Sequence, residues 1–388
     1  MSPDIIFKAE VQQFIEDNKN EDITKLALQT HRYPEMPMGF LLDQIQIRKK
    51  GKNKLPECLS NPHFVFPAKL NYEQCSSELT AQYKASLVKG DTLIDLTGGI
   101  GIDDIYFAKQ MKSVVHVEQN ETTSAFAKHN FEVLGIENIS CITGQGEDQL
   151  KNNYDVIYLD PARRKEDKKI FRFEDCSPNP LDFLEELKSS SKQILIKASP
   201  LIELKTAIKE LQMVTEVHVV SVKDEVKEIL FLLEDTNQTE PVIKSIELER
   251  NQSFLFCPSE EVEAKVSLAQ ELGAYLYEPL NALYKAGPYQ LISERFQIEK
   301  LGRHTHYYTS NTIVEDFPGN IYKITSAIPF SKKAKKLGLT QANIKTRNFK
   351  MTSAELKKYL NIKKDGGDIY VFGSSIGNEQ VLVEAQKV

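Results

Sequence analysis

The sequence lacks the features that would place the protein in a membrane or in an oxidising compartment. It has no uninterrupted run of about 18 apolar residues, the length that a bilayer-spanning helix requires, so no membrane partner is predicted. Its start, Met1–Asp4, is not a basic segment followed by an apolar run, so no signal peptide is predicted. The five cysteines are scattered and form no C-x-x-C pair. This spacing excludes a disulfide scaffold or a zinc ribbon and predicts a cytoplasmic protein.

Length and composition are those of a globular protein with more than one domain. The chain has 388 residues, of which 41% are hydrophobic and 27% are charged. One hydrophobic core rarely serves more than about 250–300 residues, so two or three domains are expected. These proportions exclude a disordered or fibrous chain.

Charge is distributed unevenly along the chain. The whole sequence carries a net charge of −6, yet Pro318–Val388 contains 13 Lys and Arg against 5 Asp and Glu, a net charge of +8. The rest of the chain therefore carries −14. A basic C-terminal segment on an acidic body suggests contact with an anion, of which RNA is the common large example. A solvated lysine-rich surface is the alternative that charge alone leaves open.

The first half of the chain divides into a helical region and a sheet-forming region. Residues 1–87 carry apolar residues at helical spacing and end in a helix capped by Ser76 or Ser77. Residues 88–237 alternate short β-branched runs with longer amphipathic stretches, which predicts βαβ units and a buried parallel sheet. The five runs expected to form parallel strands are Thr92–Asp95, Val114–Glu118, Ser140–Thr143, Asp155–Asp160 and Gln193–Lys197.

Two further strand-like runs end this region, Val217–Val222 and Glu228–Leu233. Five residues join them, whereas a parallel crossover needs a dozen or more, so the two strands must be antiparallel. A parallel sheet that ends in an antiparallel hairpin differs from the ordinary dinucleotide-binding fold, whose last connection is a helical crossover.

The second half of the chain predicts two small α+β domains. In residues 238–317 we expect strands at Ile243–Leu248 and Phe254–Phe256 and a helix over Glu278–Phe296. Residues 318–388 contain most of the basic excess and a Thr-x-x-Glu capping box that begins a helix.

The most specific motif is the glycine-rich segment Asp95–Asp103, Asp-Leu-Thr-Gly-Gly-Ile-Gly-Ile-Asp, at the end of the first parallel strand. Glycines there allow a ligand to approach the backbone. Glu118 ends the second strand, where a carboxylate can accept both hydroxyls of a ribose. The acidic pair Glu147 and Asp148 follows the third strand, where one side chain can accept from an adenine amino group. The three features together predict a nucleoside-containing ligand.

A second motif, Asp-Pro-Ala-Arg-Arg, begins at Asp160, where the fourth strand ends. Open α/β sheets bind their ligands at this carboxyl-terminal edge. Asp160 and the carbonyl of Pro161 can accept hydrogen bonds from an amino group and aim its lone pair. A plain strand terminator is the alternative. Lys197 ends the fifth strand and is equally compatible with an ion pair and with a catalytic role.

These motifs, in this order, resemble those of class I S-adenosylmethionine-dependent methyltransferases over roughly Cys75–Leu233. The segments Glu73–Lys84 and Asp160–Arg164 look more specifically like a bacterial methyltransferase family with a helical N-terminal region, a ferredoxin-like domain and a THUMP-like C-terminal domain. Asn343–Phe349 and Gly366–Phe372 are similar to that last domain. The core is also similar to trimethylguanosine synthases, which methylate the exocyclic amine of a guanine cap.

The resemblance implies an α/β fold with the seven-stranded, Rossmann-like sheet of class I methyltransferases. It further implies S-adenosyl-L-methionine as cofactor, RNA as partner and an exocyclic amine of an RNA base as acceptor. By the same resemblance, Asp95, Gly99 and Gly101 would contact the methionine part of the cofactor. Ser77 and Thr80 could reach the methionine carboxylate.

The resemblance also assigns the remaining cofactor contacts and shows one departure. Glu118 would bind the ribose, and Asp148 or Glu147 the adenine. Amino-methyltransferases usually have Pro and an aromatic residue that stacks on the target base after the Asp-Pro pair, whereas this chain has Ala162 and Arg163 there. Arg163 can stack on a base or pair with a phosphate, and Arg164 and Lys197 are further candidates for substrate contact.

THUMP domains are associated with RNA binding, so the basic C-terminal residues are expected to contact RNA. The candidates are Lys332, Lys333, Lys336, Lys345 and Arg347. His304 and His306 could suggest a metal, but without a third nearby ligand we interpret them as alternating positions of a strand, and no metal site is predicted.

Two other functional classes remain open from the sequence. One is a dinucleotide-dependent oxidoreductase, which the antiparallel hairpin and the Asp-Pro motif disfavour. The other is an RNA-binding protein whose methyltransferase-like core is a non-catalytic scaffold. A methyltransferase that acts on a protein or a small molecule is a further alternative.

Overall fold

The structure is a computed structural model that describes residues 6–163, 172–331 and 338–388. The chain divides into two compact units. The first comprises Met1–Thr215 and Ile229–Asn237, and the second comprises Glu216–Glu228 and Gln238–Val388. In the described ranges, no helix is both long and apolar enough to cross a membrane.

Helices form the N-terminal part of the first unit, as predicted. They are α1 (Ala9–Asn18), α2 (Ile23–Leu28), α3 (Met38–Gly51), α4 (Lys69–Gln74) and α5 (Glu78–Leu87). The proline-containing connector between α3 and α4 is held by polar side chains of α3. The Arg48 guanidinium donates to the carbonyls of Pro62 and Phe64 at 2.6 and 2.8 Å, and Gln44 exchanges two hydrogen bonds with the backbone of Phe66. These bonds satisfy buried backbone groups that form no regular ladder.

The strands that follow coincide closely with the predicted apolar runs. They are β1 (Thr92–Asp95), β2 (Ser113–Glu118), β3 (Ile139–Thr143), β4 (Tyr154–Leu159), β5 (Ala162–Arg163), β6 (Cys176–Ser177), β7 (Ser191–Ala198), β8 (Val214–Val222) and β9 (Glu225–Glu234). Five of them are parallel in the order β3-β2-β1-β4-β7, and β9 is antiparallel to β7. The short strands β5 and β6 form a separate antiparallel pair. The helices of this part are α6 (Ile102–Phe107), α7 (Glu121–Val133), α8 (Leu184–Ser190) and α9 (Leu204–Leu211).

The predicted antiparallel hairpin is present and has a tighter turn than expected. At its open end, the Glu234 amide donates to the carbonyl of Met213, and the Thr215 hydroxyl donates to the carbonyl of Leu232. Two residues, Lys223 and Asp224, connect the strands, and both have positive φ (56° and 57°). This is the backbone geometry of the two-residue turn that matches the twist of a hairpin. Apart from β5 and β6, the strands up to β9 therefore lie in the order β3-β2-β1-β4-β7-β9-β8. These are the seven strands expected for a class I methyltransferase.

In the second unit, two strands that we expected in a separate small domain extend the hairpin instead. The strand β10 (Val242–Glu247) pairs in parallel with β8, and β11 (Gln252–Phe256) pairs antiparallel with β10. The Glu247 carboxylate accepts from the amides of Lys223 and Asp224 and from the Ser221 hydroxyl. These three bonds fix the hairpin turn against β10.

The rest of the second unit forms one sheet of seven strands. Its strands are β12 (Tyr275–Pro279), β13 (Glu299–Gly302), β14 (Thr305–Ser310), β15 (Gly319–Pro329), β16 (Asn343–Thr346), β17 (Ile369–Ile376) and β18 (Glu379–Lys387). They lie in the order β13-β14-β12-β15-β18-β17-β16. The helices are α10 (Pro258–Glu263), α11 (Asn281–Ala286), α12 (Tyr289–Phe296) and α13 (Ser353–Tyr359).

One helix prediction in this unit was wrong in its bounds. The segment Glu278–Phe296 begins as the end of β12 and then forms two helices rather than one. Gly287, with φ of +90°, and Pro288 separate these helices, because such a φ ends a helix and Pro lacks the donor that would continue it. The capping box at Thr352 and Glu355 begins α13 as predicted.

Candidate active site

The site lies at the carboxyl-terminal edge of the parallel strands in the first unit. Asp95 and Glu118 are the last residues of β1 and β2, Asp160 follows β4, and Lys197 is the residue before the last one of β7. Because parallel strands bring their carboxyl ends to one edge, four polar side chains that are far apart in sequence lie on that edge.

The glycine-rich segment makes a tight turn between β1 and α6. Gly99 and Gly101 have φ of +56° and +79°, the left-handed conformation that favours glycine. The Gly101 amide donates to the carbonyl of Gly98 at 2.9 Å and closes the turn. A Cβ at Gly98 would lie 2.2 Å from Nδ1 of His116, and one at Gly101 would lie 2.3 Å from Cζ of Phe131. The turn therefore packs directly on two side chains beneath it.

Gly99 differs from Gly98 and Gly101 because no side chain packs where its Cβ would lie. A Cβ placed there meets nothing closer than the carbonyl oxygen of Thr97 at 3.8 Å. Gly99 also lines the cavity described below. The turn thus presents bare backbone to the cavity, as a close-fitting ligand requires.

Three buried titratable side chains support the turn from below. His116 Nδ1 lies 2.6 Å from Oδ2 of Asp104, and both side chains are fully buried. Burial raises the pKa of Asp104, and burial together with the Asp104 carboxylate raises the pKa of Asp95. Burial lowers the pKa of His116. The three shifts favour neutral forms, which suits a cluster without solvent.

Glu118 is connected to the turn by its own carboxylate. Its Oε2 accepts from the Gly99 amide at 2.9 Å, and its Oε1 accepts from the Asn120 amide at 2.7 Å. Each carboxylate oxygen offers about two lone-pair sites, so both oxygens retain capacity for a further donor such as a ribose hydroxyl.

Asp160 is held at its backbone and at its carboxylate. Its amide donates to Oγ1 of Thr97 at 2.6 Å, and its Oδ2 accepts from Nζ of Lys197 at 2.5 Å. The Asp160 side chain is 37% exposed, while Lys197 is 14% exposed. Of the two roles predicted for Lys197, the structure contains the ion pair. Sequence reasoning missed Thr97, although a hydroxyl residue two positions after Asp95 was visible in the motif.

A second group of interacting side chains that the sequence did not predict lies at the wall of the cavity. The fully buried Lys84 ammonium lies 3.1 Å from Oδ1 of Asp103 and donates to Oγ of Ser76 at 3.0 Å. Oδ2 of Asp103 accepts from Ser76 at 3.0 Å and from the Tyr158 hydroxyl at 2.8 Å. Burial alone would raise the pKa of Asp103, but Lys84 and Lys197 hold it below its ordinary value. Asp103 is thus an ionised carboxylate beside the glycine turn.

These elements surround one cavity of about 350 Å³, within the range of small-molecule sites. Six of the predicted residues line it: Asp95, Gly99, Gly101, Glu118, Glu147 and Asp160. Residues that line it without having been predicted include Cys75, Ser76, Thr97, Asp103 and Tyr158.

Three predicted cofactor residues lie elsewhere in the described part of the chain. Ser77 is the N-cap of α5, where its hydroxyl accepts from the Thr80 amide at 3.2 Å and lies 3.1 Å from the Thr80 hydroxyl. Neither side chain is among the described residues that line the cavity, and Ser76 lies there instead. Asp148 is exposed beside Glu147 and is likewise not part of that lining.

The predicted acceptor-side residues are only partly covered by the structure. Pro161 is buried directly after Asp160. The backbone of Arg163 pairs with Cys176 in the β5–β6 pair, which the sequence analysis did not predict. Arg164, Lys332, Lys333 and Lys336 lie outside the described residues.

Two predicted RNA-contacting residues of the second unit have partners within the protein. Lys345 donates to Oε2 of Glu278 and, at 3.2 Å, to the Tyr322 hydroxyl. The Arg347 guanidinium lies over the Tyr284 ring at 4.4 Å and 3.9 Å from Oε1 of Glu278. These cations therefore balance a buried carboxylate.

The histidine pair of the second unit is explained by packing. The His306 ring stacks on Tyr289 with centroids 3.6 Å apart, and His304 is exposed. Within the described ranges, no group of three or more His, Cys, Asp or Glu side chains is arranged to hold a metal ion.

Three family models match separate parts of the chain. Residues 90–231 match a family described as RNA cap guanine-N2 methyltransferase. Residues 275–318 match a ferredoxin-like domain, and residues 319–387 match a THUMP domain-like family. The resemblance stated from the sequence is confirmed in all three parts.

A solved structure of a candidate methyltransferase from Porphyromonas gingivalis W83 is similar over the full length. It is 29% identical, the alignment covers 100% of this chain and 99% of that one, and the TM-score is 0.90.

Curated relatives match over shorter spans. A 23S rRNA (uracil(747)-C(5))-methyltransferase from Pyrococcus abyssi is 29% identical over 117 residues, which is 30% of this chain and 28% of that protein. An uncharacterized RNA methyltransferase from Leptospira interrogans is 24% identical over 161 residues, 39% of this chain and 40% of that protein. The chain thus spans less than half the length of these curated relatives. Together with the strand order and the polar edge of the sheet, the matches show a methyltransferase domain with the class I fold, followed by a ferredoxin-like and a THUMP-like domain.

Proposed function

We propose that this methyltransferase transfers a methyl group from S-adenosyl-L-methionine to an exocyclic amine of an RNA base. The observation that carries the proposal is the position of Asp160. Its partly exposed carboxylate lines the same cavity as the glycine turn and Glu118, so a nucleoside-type cofactor and an acceptor amine can meet there.

The cavity residues suit such a cofactor. Glu118 retains acceptor capacity for ribose hydroxyls, and Gly99 offers bare backbone where a side chain would obstruct a ligand. The Asp103 carboxylate, next to the turn, is complementary to the ammonium group of the methionine moiety. Glu147 in the lining is the better candidate for the adenine amino group, since Asp148 lies outside it.

Asp160 and Pro161 would align the acceptor. The cofactor supplies a methyl group on a sulfonium, which is already activated, so alignment contributes more than a strong base. The Asp160 carboxylate would accept a hydrogen bond from the amine N–H and so aim the nitrogen lone pair into the cavity. The Lys197 ammonium fixes the direction of that carboxylate.

An amine acceptor is favoured over a carbon acceptor by the state of the cavity cysteine. Methylation of a ring carbon of uracil would need a nucleophile that adds to the base, and a thiolate is the usual one. Cys75 lines the cavity, but burial raises the pKa of its thiol to about 11, so it stays protonated at neutral pH. The description of the core family, a guanine-N2 methyltransferase, agrees with an amine.

RNA as the acceptor is supported by the C-terminal domain and by the relatives. Residues 319–387 match a THUMP domain-like family, and Pro318–Val388 carries a net charge of +8. The curated relatives are named as RNA methyltransferases. Binding through this charge predicts a steep loss of RNA affinity with added salt.

The proposal is tested by methyl transfer from radiolabelled cofactor to total RNA from cells that lack the protein. We expect wild-type protein to label the RNA, and Asp160→Ala to abolish labelling while the affinity for S-adenosylhomocysteine stays within about threefold. Asp91→Asn is the matched control, because Asp91 is an exposed carboxylate just before the start of β1, at the opposite edge of the sheet. The Asp91→Asn variant should label the RNA to the same extent as wild type. Binding of S-adenosylhomocysteine without transfer to any extract would instead favour the non-catalytic scaffold.

A further inference from the structure

We propose that Thr97 is a positioning residue that couples the cofactor turn to Asp160, an inference that rests on the proposed function. Its hydroxyl is hydrogen-bonded both to the carboxyl group of Asp95, at the end of β1, and to the backbone amide of Asp160.

The link begins where the ladder between β1 and β4 ends. The last backbone bond between the two strands runs from the Leu96 amide to the carbonyl of Tyr158, at 3.1 Å. The paired register of the two strands ends at Asp95 and Tyr158. On the β4 side the strand ends at Leu159, which is followed by Asp160 and Pro161, and Pro161 has no N–H group. The Asp160 amide is therefore the last donor on this strand end, and a side chain accepts from it.

That side chain is Thr97, and its geometry sets the direction of the bond. The Thr97 amide donates to Oδ1 of Asp95 at 2.7 Å, and the Thr97 hydroxyl lies 3.1 Å from the same oxygen. A hydroxyl has one proton to donate, and here Asp95 receives it. The lone pairs of Oγ1 then face the Asp160 amide, which donates at 2.6 Å.

Thr97 and Lys197 restrain different parts of Asp160. Lys197 holds one carboxylate oxygen, which leaves the backbone free to shift. Thr97 holds the backbone and is also the first residue of the turn that continues through Gly98 to Gly101. A ligand that orders this turn therefore also orders the main chain of the residue that aims the acceptor. Displacements of about 1 Å at a reacting centre cost about 10²-fold in rate.

The decisive comparison is between Thr97→Val and Thr97→Ser. Valine has a similar shape without the hydroxyl, and serine keeps the hydroxyl. We expect Thr97→Val to lower kcat about 10- to 100-fold, while the KM for S-adenosylmethionine and the Kd for S-adenosylhomocysteine change less than about threefold. Thr97→Ser should restore kcat to within about threefold of wild type. A purely structural hydroxyl would instead lower kcat and cofactor affinity together, and unchanged kcat in Thr97→Val would equally overturn the proposal.

A second measurement keeps this test independent of the reaction. Hydrogen exchange at the Asp160 amide, followed by NMR, should slow when S-adenosylhomocysteine binds wild type and the Thr97→Ser variant. In Thr97→Val the exchange should be faster and insensitive to the ligand. If wild type transferred no methyl group but showed this exchange pattern, the proposed reaction would fail and the coupling would stand. If the pattern were absent in wild type, the coupling itself would be wrong.

Discussion

The packing of the glycine turn leads to a prediction that separates its structural from its ligand-binding role. Gly99 and Gly101 both have positive φ, so alanine at either position costs about 1–2 kcal/mol of backbone strain. At Gly101 the new methyl would also lie 2.3 Å from the Phe131 ring, and such overpacking adds about 1–3 kcal/mol. We expect Gly101→Ala to destabilise the fold by about 2–5 kcal/mol and Gly99→Ala by about 1–2 kcal/mol.

Ligand affinity should show the opposite order. The Gly99 methyl would occupy open space at the cavity, so Gly99→Ala should weaken S-adenosylhomocysteine binding at least about tenfold in calorimetry. A tenfold rise in Kd corresponds to a loss of about 1.4 kcal/mol of binding free energy. Gly101→Ala, assayed below its unfolding transition, should weaken binding less than Gly99→Ala does, because its methyl would meet Phe131 rather than open space.

The assay for stability is urea unfolding followed by circular dichroism, with midpoints and slopes compared. Phe131→Leu is the internal control, because it removes the ring atoms that clash. The double variant Gly101→Ala with Phe131→Leu should be less destabilised than the sum of the two single variants by about 1–3 kcal/mol. Equal stability of the Gly99→Ala and Gly101→Ala variants would contradict a clash between a methyl at Gly101 and Phe131. A double variant whose destabilisation equals the sum of the two single variants would contradict it as well.

Three further predictions concern single side chains. Glu118→Gln should weaken S-adenosylhomocysteine binding about 10- to 100-fold, because charge-assisted hydrogen bonds to hydroxyls contribute about 1.5–3 kcal/mol. An unchanged affinity in calorimetry would show that Glu118 does not bind the ligand. Lys192 and the amides of Asp91 and Thr92 hold the pKa of Asp155 well below its usual value, so the ionised Asp155 stabilises the fold above about pH 4 and this contribution is lost as the pH falls further. Thermal melts of Asp155→Asn should therefore show a lower Tm than wild type at pH 7 and a smaller loss of Tm at acidic pH. A constant difference in Tm across the pH range would contradict this. Burial lowers the pKa of His306 to about 4, with Lys300 and Arg347 adding to the effect, so the stability of the fold should fall as the pH drops from 6.5 towards 4. The His306→Gln variant should lose that part of the pH dependence of Tm. The same Tm–pH curve in variant and wild type would contradict this.

Local sequence patterns were sufficient to predict the sheet that carries the candidate active site. The parallel strands, the antiparallel hairpin and the glycine turn each depend on residues close together in the chain. The short connection before Glu228 left no room for a crossover, and the glycines mark positive φ. The residues that line the cavity at strand ends followed from one rule, that parallel strands present their carboxyl ends at one edge.

Contacts between distant segments could not be predicted in the same way. Lys84 reaches Asp103 only because α5 packs beside the turn, and no spacing in the sequence indicates that pairing. Lys345 was expected on an RNA-binding surface because it lies in a basic segment, yet its partner Glu278 precedes it by 67 residues. The parallel pairing of β10 with β8 is likewise invisible locally, because β9 lies between them in sequence.

We propose that this chain methylates RNA and that Asp160 is required for the transfer. The decisive measurement is mass spectrometry of nucleosides from total RNA of cells that lack the protein and are complemented with wild type or with Asp160→Ala. We predict that one methylated nucleoside disappears in the deletion, returns with wild type and stays absent with Asp160→Ala. An unchanged nucleoside profile, or full restoration by Asp160→Ala, would contradict the claim.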